Sequence, residues 1–368
     1  MGESDHAAGS IATVQPAMRV ENWDSIVADL ADGLELTNPQ SQWAMNQILG
    51  NLASKDEIKS FLLGVQAKGE SPAEIAAFLD VMFAHAGSIS IPVRAVDVVG
   101  TGGDGANTIN ISSTAAIIAA AAGATVVKHG ARAATSTSGA ADLLEALGVA
   151  IDLDGAGVAK TVAELGIGFC FAPTFHPAMR FAAPARKELG QASVFNILGP
   201  LANPAKPAAM AIGVAKERVL PLMAEVFHNR GTEGFLFRGD DGLDELTLTT
   251  TSRILQVSPS GIREESFDPR DLGVSFAPIA AITGGDATHN AGVTTAILRG
   301  ELSPARDAVL LNAAIALSAF NAEFELPITE QIAKGFAAAS EAIDSGAALA
   351  LLEKWVKLSQ AIKAAKTA

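Results

Sequence analysis

The sequence predicts an α/β protein with a small all-helical domain and a large α/β domain whose central sheet is mostly parallel. Residues 23–86 show helical periodicity with clear helix starts. After Pro92, short apolar segments alternate with helical segments, a pattern typical of a largely parallel sheet. Hydrophobic residues make up 49% of the 368 residues and charged residues only 18%, so the chain can bury a large core.

This pattern divides the chain into three parts. Residues 1–18 have no sustained periodicity and are predicted to form a flexible N-terminal tail. Residues 19–90 are predicted to form the small helical domain, which we expect part of residues 175–205 to join. Residues 91–368 are predicted to form the large domain.

Two helix starts in the small domain are well defined. Ser54 stands before an apolar stripe and Glu57 follows three residues later, which is the pattern of a capping box. Ser71 and Glu74 repeat the pattern with Pro72 at the first helical position. Each pair is expected to satisfy backbone N–H groups that the start of a helix leaves unpaired.

The large domain is predicted to alternate between strands and helices. Strands are expected over residues 96–100, 125–130, 168–173, 209–214, 234–239 and 246–257. Helices are expected over residues 112–122, 138–147, 307–320, 329–345 and 347–365, with a further helical candidate at 175–190.

Charge and composition disfavour several classes of protein. The formal net charge of −14 opposes nonspecific binding to nucleic acid or to an anionic membrane. The apolar stretch 111–127 is too short to span a membrane, and the N-terminus lacks the pattern of a signal peptide. The single cysteine, Cys170, has no partner for an intramolecular disulfide. We therefore expect a cytoplasmic protein.

A glycine-rich turn follows the first predicted strand. The sequence GTGGDG at residues 100–105 lets the backbone bend sharply and approach a ligand closely. Amide and hydroxyl side chains at residues 107–114 lead into a helix N-terminus, which favours an anion. The alternative is an ordinary tight turn with capping hydroxyls. The glycine spacing matches neither a Walker A loop nor a Rossmann fingerprint.

A second polar turn, KHGARAATSTSG at residues 128–139, follows the next strand. Lys128 and Arg132 are the only lysines or arginines between residues 98 and 141, and a cation at the end of a buried strand needs a partner anion. Two such turns predict a ligand with two phosphate groups. The alternative is that nearby carboxylates neutralise both cations: Asp104, Asp142 or Glu145.

An acidic turn, GDDGLDE at residues 239–245, follows a later strand. Carboxylates are hard ligands that suit Mg²⁺, which usually takes one or two of them and shares the rest of its shell with phosphate and water. Beside two turns suited to phosphate, a magnesium site is the favoured interpretation. A solvated acidic turn is the alternative.

These motifs together resemble the anthranilate phosphoribosyltransferase family of tryptophan biosynthesis. The matching segments cover nearly the whole chain after the tail and stand in family order: VGTGGDGANTINIS, KHGxRAxxSxSGxADLLEALGV, FAPxFHPAMR, ARKELG, VFNILGPLANP and GDDGLDELT. The resemblance implies a fold of the nucleoside phosphorylase class II type and a homodimer joined through the helical domains.

The resemblance also implies a reaction. The amine of anthranilate attacks C1 of phosphoribosyl pyrophosphate (PRPP), pyrophosphate leaves, and N-(5-phosphoribosyl)anthranilate forms, the second step from chorismate to tryptophan. Two Mg²⁺ ions per subunit are implied with PRPP. An aromatic amine is already neutral at pH 7, so no strong base is needed, and catalysis would come from positioning and electrostatics.

The resemblance assigns site residues through the matching motifs. Those implied for PRPP are Gly100, Gly103, Asp104, Thr108, Asn110, Ser112, Ser113, Lys128, Gly130, Arg132 and Ser136. Those implied for anthranilate are Gly100, His129, Ala131, Pro173 and Arg186. Those implied for Mg²⁺ are Ser112, Asp244 and Glu245. A planar guanidinium such as that of Arg186 is well suited to the anthranilate carboxylate.

The chain departs from the family pattern at one position that matters for the acceptor. The family reads Lys-His-Gly-Asn-Arg where this chain has Ala131, so an amide expected to face the acceptor is missing. Smaller departures are Ser113 in place of threonine and Ala140 in place of glycine. Ala131 leaves open a related phosphoribosyltransferase with a different aromatic acceptor.

Three other interpretations compete with this one. A pyrimidine nucleoside phosphorylase of the same fold would not need the acidic metal motif. A noncatalytic relative that binds nucleic acid would need a basic groove, which the net charge of −14 opposes. An inactive subunit that partners the anthranilate-producing enzyme is also compatible with the sequence.

Overall fold

The computed structural model describes residues 21–133 and 136–367, so the predicted tail at residues 1–18 lies outside the described part of the chain. The helices of the described part are α1 Trp23–Ala31, α2 Asn38–Leu49, α3 Lys55–Lys68, α4 Pro72–Ala84, α5 Ile111–Ala121, α6 Ala140–Ala146, α7 Gly155–Leu165, α8 Ala172–Phe175, α9 Ala183–Leu189, α10 Val194–Leu201, α11 Val219–Arg230, α12 Ala287–Leu298, α13 Pro304–Asn321, α14 Ile328–Asp344 and α15 Ala347–Thr367. The strands are β1 Val96–Gly100, β2 Val126–Gly130, β3 Ile167–Phe171, β4 Ala209–Gly213, β5 Glu233–Gly239, β6 Ser252–Ser258 and β7 Gly261–Phe267. Short 3₁₀ helices lie at Pro177–Phe181, Pro269–Leu272 and Ile279–Ile282.

Helices α1 to α4 pack around a common apolar core. Both predicted capping boxes are confirmed, with Ser54 and Glu57 at the start of α3 and Ser71 and Glu74 at the start of α4. The core takes buried side chains from all four helices, among them Ile26, Met45, Phe61 and Phe78. The apolar stripes of these helices are therefore buried against one another, as their periodicity predicts.

The prediction of one helix over residues 175–190 is wrong, because prolines interrupt it. A 3₁₀ helix begins at Pro177, and α9 begins one residue before Pro184. Proline has no N–H to donate to the preceding turn, so it is favoured at the start of a new element. Helices α9 and α10 pack against α3, and their side chains Ala185 and Leu198 belong to the core that α1 to α4 form.

The strands form one seven-stranded sheet in the order β3-β2-β1-β4-β5-β6-β7. Strands β1 to β5 run parallel to their neighbours within this order, while β6 and β7 extend the sheet in antiparallel fashion. This arrangement confirms the mostly parallel sheet. The largest core lies between one face of the sheet and helices that include α5, α13 and α14.

The antiparallel edge differs from the predicted strands in two ways. Residues 246–251 are not a strand, because the hydroxyls of Thr247 and Thr249 bond to the carboxylate of Asp241 and fold the segment into turns. The sequence GIREESF of β7 is not predicted as a strand because it is mainly polar. It lies at the edge of the sheet, where most of its side chains are exposed.

The strand order creates a crevice at the carboxyl ends of β1 and β4. These two strands are neighbours, yet β2 lies on the far side of β1 and β5 on the far side of β4. Such reversals of strand order are common ligand-binding positions in α/β proteins. Gly100 and Gly213, the last residues of the two strands, lie in register at this crevice.

Within the described residues, no single helix has the length and apolar composition that a membrane span needs. Helices α14 and α15 meet those criteria only when they are taken together, and the pair is bent by 70°.

Candidate active site

The carboxyl edge of the sheet brings together the three predicted turns. The N–H of Gly102 in the glycine-rich turn donates to Asp244 Oδ2 in the acidic turn at 2.6 Å. The Asp104 carboxylate lies close enough to Asp244 to raise its pKa. Lys128, in the middle of β2, lies close enough to Glu245 to lower that residue's pKa. Residues that are more than 100 positions apart in the chain thus form one cluster.

Glycine at two strand ends allows Asp244 to approach the sheet. A Cβ at Gly100 would overlap the Asp244 carboxylate, and a Cβ at Gly213 would overlap the Asp244 carbonyl. Any side chain at either position would therefore displace the acidic turn. The Asp244 carboxylate is buried at the crevice, and this burial and the nearby Asp104 charge raise its pKa to about 7.

Glu245 lies at the N-terminus of α5. Its carboxylate lies close enough to the backbone N–H of Ser112, in the first turn of that helix, for this group to lower the pKa of Glu245, and unpaired N–H groups there favour an anion. Burial and the neighbouring Asp244 nevertheless raise the pKa of Glu245 well above its usual range, while Lys128 opposes the rise.

These carboxylates fit a divalent cation that is shared with a phosphate ligand. Asp104, Asp244 and Glu245 repel one another, and Lys128 is the cation that opposes this repulsion for Glu245. Within residues 21–133 and 136–367, no three acidic, histidine or cysteine side chains form a protein-only metal cage. A site with two carboxylates and open positions suits Mg²⁺, which completes its shell with water and phosphate oxygens.

Lys128 is buried in the middle of β2, although it carries a full charge when protonated. Its Nζ donates to the carbonyl of Val98 and, at 3.3 Å, to Ser112 Oγ. Burial lowers the pKa of Lys128, while Asp97 and Glu245 act in the opposite direction. The ammonium therefore has one acceptor on β1 and one at the start of α5.

Asn110 connects the loops around the crevice. Its Nδ2 donates to the carbonyl of Ser138 at 3.0 Å, and its Oδ1 accepts from Ser138 Oγ at 3.0 Å and from Asn290 Nδ2 at 2.8 Å. The side chain thus ties the start of α5 to the loop after β2 and to α12. The amide of Asn110 thus makes three hydrogen bonds to neighbouring loops and helices.

The remaining residues implied for PRPP lie around the same loops. Gly103 has a φ of +84°, Thr108 forms an isolated antiparallel bridge with Thr283, and Ser113 is buried in α5. Gly130 ends β2, and Ser136 Oγ donates to the carbonyl of Ser138 at 3.4 Å.

Arg132 differs from the prediction for PRPP. Its Nη1 donates to Asp142 Oδ1 at 2.9 Å and to Glu145 Oε2 at 2.8 Å. The two carboxylates neutralise the guanidinium, which is the pairing that the sequence left as an alternative. Asp142 also accepts the N–H groups of Ala133 and Gly139, so these contacts help to fix the turn.

His129 faces a second histidine that the sequence motifs did not single out. The rings of His129 and His176 are 5.3 Å apart in an edge-to-face arrangement. Burial and the neighbouring His176 lower the pKa of His129 to about 3, so the ring is neutral. Its Nδ1 lies 3.2 Å from the carbonyl of Gly199, which can only accept, so Nδ1 carries the proton. Nε2 is buried, unprotonated and without a partner in the described chain.

Helix α10 connects His129 with Arg186. Gly199 contacts His129, and Phe195, one turn earlier on α10, lies 5.2 Å from the guanidinium of Arg186. Burial lowers the pKa of Arg186, and no carboxylate pairs with it among the described ion pairs. Pro173 lies in α8 directly after β3.

Ala131 lies at the exposed end of the loop after β2. Its carbonyl accepts the N–H of Ala141 at the start of α6. A Cβ at Gly139 would overlap that carbonyl and the backbone of Arg132. The backbone at position 131 is thus held in place, and the residue itself is exposed.

Asp97 and Asn203 were given no role by the sequence motifs, although Asn203 lies in the matching segment VFNILGPLANP. Asp97 lies in β1 and is fully buried, and Asn203 follows α10 and is buried as well. For Asp97, the indication that the sequence offered was a charged residue inside the apolar segment VDVVG.

Comparisons with known proteins agree with this architecture. The family model for the glycosyl transferase family helical bundle domain matches residues 24–86, and that for the a/b domain of the same family matches residues 93–349. Anthranilate phosphoribosyltransferase from Acidothermus cellulolyticus is 50% identical over 342 residues, which cover 93% of this chain and 96% of that protein.

Solved structures give the same result. Anthranilate phosphoribosyltransferase from Thermus thermophilus matches with a TM-score of 0.84 and 38% identity over 91% of this chain and 99% of that one. The Saccharomyces cerevisiae enzyme, solved in complex with PRPP and Mg, matches with a TM-score of 0.83 and 26% identity over 92% and 98% of the two chains. This chain belongs to the anthranilate phosphoribosyltransferase family.

Proposed function

We propose that this chain transfers the phosphoribosyl group of PRPP to the amine of anthranilate in a Mg²⁺-dependent reaction, the second step from chorismate to tryptophan. The observation that carries the proposal is the cluster at the crevice, where the glycine-rich turn, Lys128 and the buried carboxylates of Asp244 and Glu245 meet. The relatives are named as anthranilate phosphoribosyltransferases, and this favours anthranilate over a different aromatic acceptor.

The phosphate groups of PRPP would bind at the glycine-rich turn and the start of α5. The proposed PRPP set is Gly100, Gly103, Asp104, Thr108, Asn110, Ser112, Ser113, Lys128, Gly130 and Ser136. Backbone N–H groups and the Lys128 ammonium would offset the charge of the ligand. We leave the guanidinium of Arg132 out of this set, because Asp142 and Glu145 already neutralise it.

Ser112, Asp244 and Glu245 would hold Mg²⁺, with two ions per subunit. When bound, Mg²⁺ neutralises the negative charge that develops on the departing pyrophosphate. Asp244 and Glu245 would then be ionised, because a cation favours the charged form of a buried carboxylate. Lys128 would add a fixed positive charge at the same edge.

Anthranilate would bind on the side of the sheet that carries α10. Arg186 would pair with its carboxylate, and Gly100, His129, Ala131 and Pro173 would line the approach. The unprotonated Nε2 of His129 can accept an N–H group but is too weakly basic to act as a strong base, since its pKa is about 3. This suits an amine nucleophile that is already neutral.

The acidic turn allows a matched test of this proposal. Asp244→Asn should lower kcat/KM for PRPP on the order of 100-fold, because it removes a charge that holds the cation at the leaving group. Asp240→Asn, in the same turn but exposed, should leave kcat/KM within about twofold, since surface changes of this kind have small effects. Loss of anthranilate fluorescence measures both rates. Equal activity of the two variants, or no anthranilate consumption by the wild type, would contradict the proposal.

Position 131 should tune acceptor binding. Ala131→Asn would place an amide beside the bound acceptor and should lower KM for anthranilate about tenfold, since a hydrogen bond to a charged ligand is worth about 1–3 kcal/mol. KM for PRPP should stay within about twofold, which serves as the internal control. Initial rates at varied anthranilate and varied PRPP separate the two constants. An unchanged or higher KM for anthranilate would show that position 131 does not face the acceptor.

We further propose that residues 19–90 and part of 175–205 act as one helical domain through which two subunits associate. Large exposed leucines in this region support a contact surface: Leu34, Leu52 and Leu63. We also propose a cytoplasmic location, because PRPP is highly charged and cannot cross a bilayer unaided.

Sedimentation velocity tests the proposed dimer. The wild type should sediment with twice the mass of the chain, and Leu63→Glu should shift the equilibrium toward monomer because it places a charge in an apolar contact. Leu302→Glu is the matched control, since Leu302 is 82% exposed on the large domain, and it should remain dimeric. A monomeric wild type would refute the dimer.

A further inference from the structure

The pairing of β1 with β2 ends early, next to the crevice. Only Val96 and Val126 are paired in register, whereas β1 with β4 and β2 with β3 pair over five residues each. The N–H of Val96 donates to the carbonyl of Thr125. By the regular spacing of a parallel ladder, the next step would join Val98 to Lys128 through the backbone groups on either side.

Side chains occupy the backbone groups that this ladder step would use. The N–H of His129 donates to Asp97 Oδ1 at 3.2 Å, and the carbonyl of Val127 accepts from Asn203 Nδ2 at 2.7 Å. The N–H of Val98 also lies close enough to the Asp97 carboxylate to lower its pKa. Asp97 and Asn203 therefore separate the ends of β1 and β2 while leaving these buried polar groups satisfied.

The fourth group of the missing step, the carbonyl of Val98, accepts the ammonium of Lys128. The Lys128 side chain thus crosses toward β1 in the gap that the separated strands leave. If the ladder continued, the N–H of His129 would take this carbonyl, and the Lys128 ammonium would lose one of its two acceptors within the described chain.

Asp97 and Asn203 form a fixed pair. Asn203 Nδ2 donates to Asp97 Oδ2 at 2.9 Å, and Asn203 Oδ1 accepts the N–H of Ala205 at 3.0 Å, which sets the orientation of the amide. Asp97 is 0% exposed and Asn203 is 1% exposed. A buried charge at a strand centre is costly compared with an apolar residue, so stability alone does not account for this pair.

We propose that Asp97 and Asn203 are positioning residues that hold β2 away from β1 and thereby place Lys128 for PRPP and His129 for the acceptor. The inference rests on the proposed function, because it takes Lys128 and His129 as substrate-binding residues. Neither Asp97 nor Asn203 touches the substrates in this assignment. They act through the backbone and through the direction of the Lys128 side chain.

The test compares two buried amides. Asn203→Leu removes the amide at nearly constant volume, frees the Val127 carbonyl and allows the ladder to close. Gln256→Met is the matched control, because it also removes a buried amide at nearly constant volume. Gln256 lies in β6, far from the crevice, and donates to the carbonyl of Phe324. Calorimetric titration with PRPP and Mg²⁺ should show a Kd at least tenfold above wild type for Asn203→Leu and within twofold for Gln256→Met. Thermal unfolding controls for stability.

The outcomes separate positioning from stability and from the proposed function. If Asn203→Leu folds and keeps the wild-type Kd for PRPP, or if Gln256→Met weakens binding equally, the positioning role is wrong. If Asn203→Leu does not fold, Asp97→Asn is judged by the same tenfold criterion. A wild type that binds PRPP but leaves anthranilate unchanged would refute the proposed acceptor, while the comparison of Kd values would still decide the roles of Asp97 and Asn203.

Discussion

The burial of the Asp244 and Glu245 carboxylates against the ends of β1 and β4 is the constraint on which the site depends. Glycines at both strand ends leave room for Asp244, and the N–H of Ser112 at the start of α5 lies close enough to Glu245 to lower its pKa. Burial raises the pKa of both carboxyl groups. The chain alone balances the negative charge of these buried carboxylates poorly. The site is therefore suited to a cation that arrives with an anionic ligand.

The two residues after Val127 serve different sides of the sheet. Successive side chains of a strand point to opposite faces, so Lys128 contacts Ser112 on α5 while His129 contacts His176 and α10. In the proposed function, the phosphate side and the acceptor side of the reaction would therefore meet at adjacent residues of one strand. Small shifts of β2 would affect both sides, because positioning accounts for much of catalysis when no strong base is needed.

Local chemistry explains what could be predicted from the sequence. The capping boxes at Ser54 and Ser71 each involve only four consecutive residues, and the glycine-rich turn can be recognised from six consecutive residues. Long-range contacts explain the misses. Threonine hydroxyls that bond to Asp241 replace the predicted strand at residues 246–251, and the pairing of Arg132 depends on how α6 folds back. Asp97 and Asn203 meet across 106 positions, and no local pattern predicts such a pair.

Calorimetric titration of the wild-type chain with PRPP, in the presence and absence of Mg²⁺, tests the central claim most directly. If the buried carboxylates require a cation to accept an anionic ligand, Mg²⁺ should tighten PRPP binding at least tenfold, which corresponds to about 1.4 kcal/mol or more. Equal affinity for PRPP in Mg²⁺ and in EDTA would contradict the account, because the carboxylates of Asp244 and Glu245 would then have no role in binding the cation.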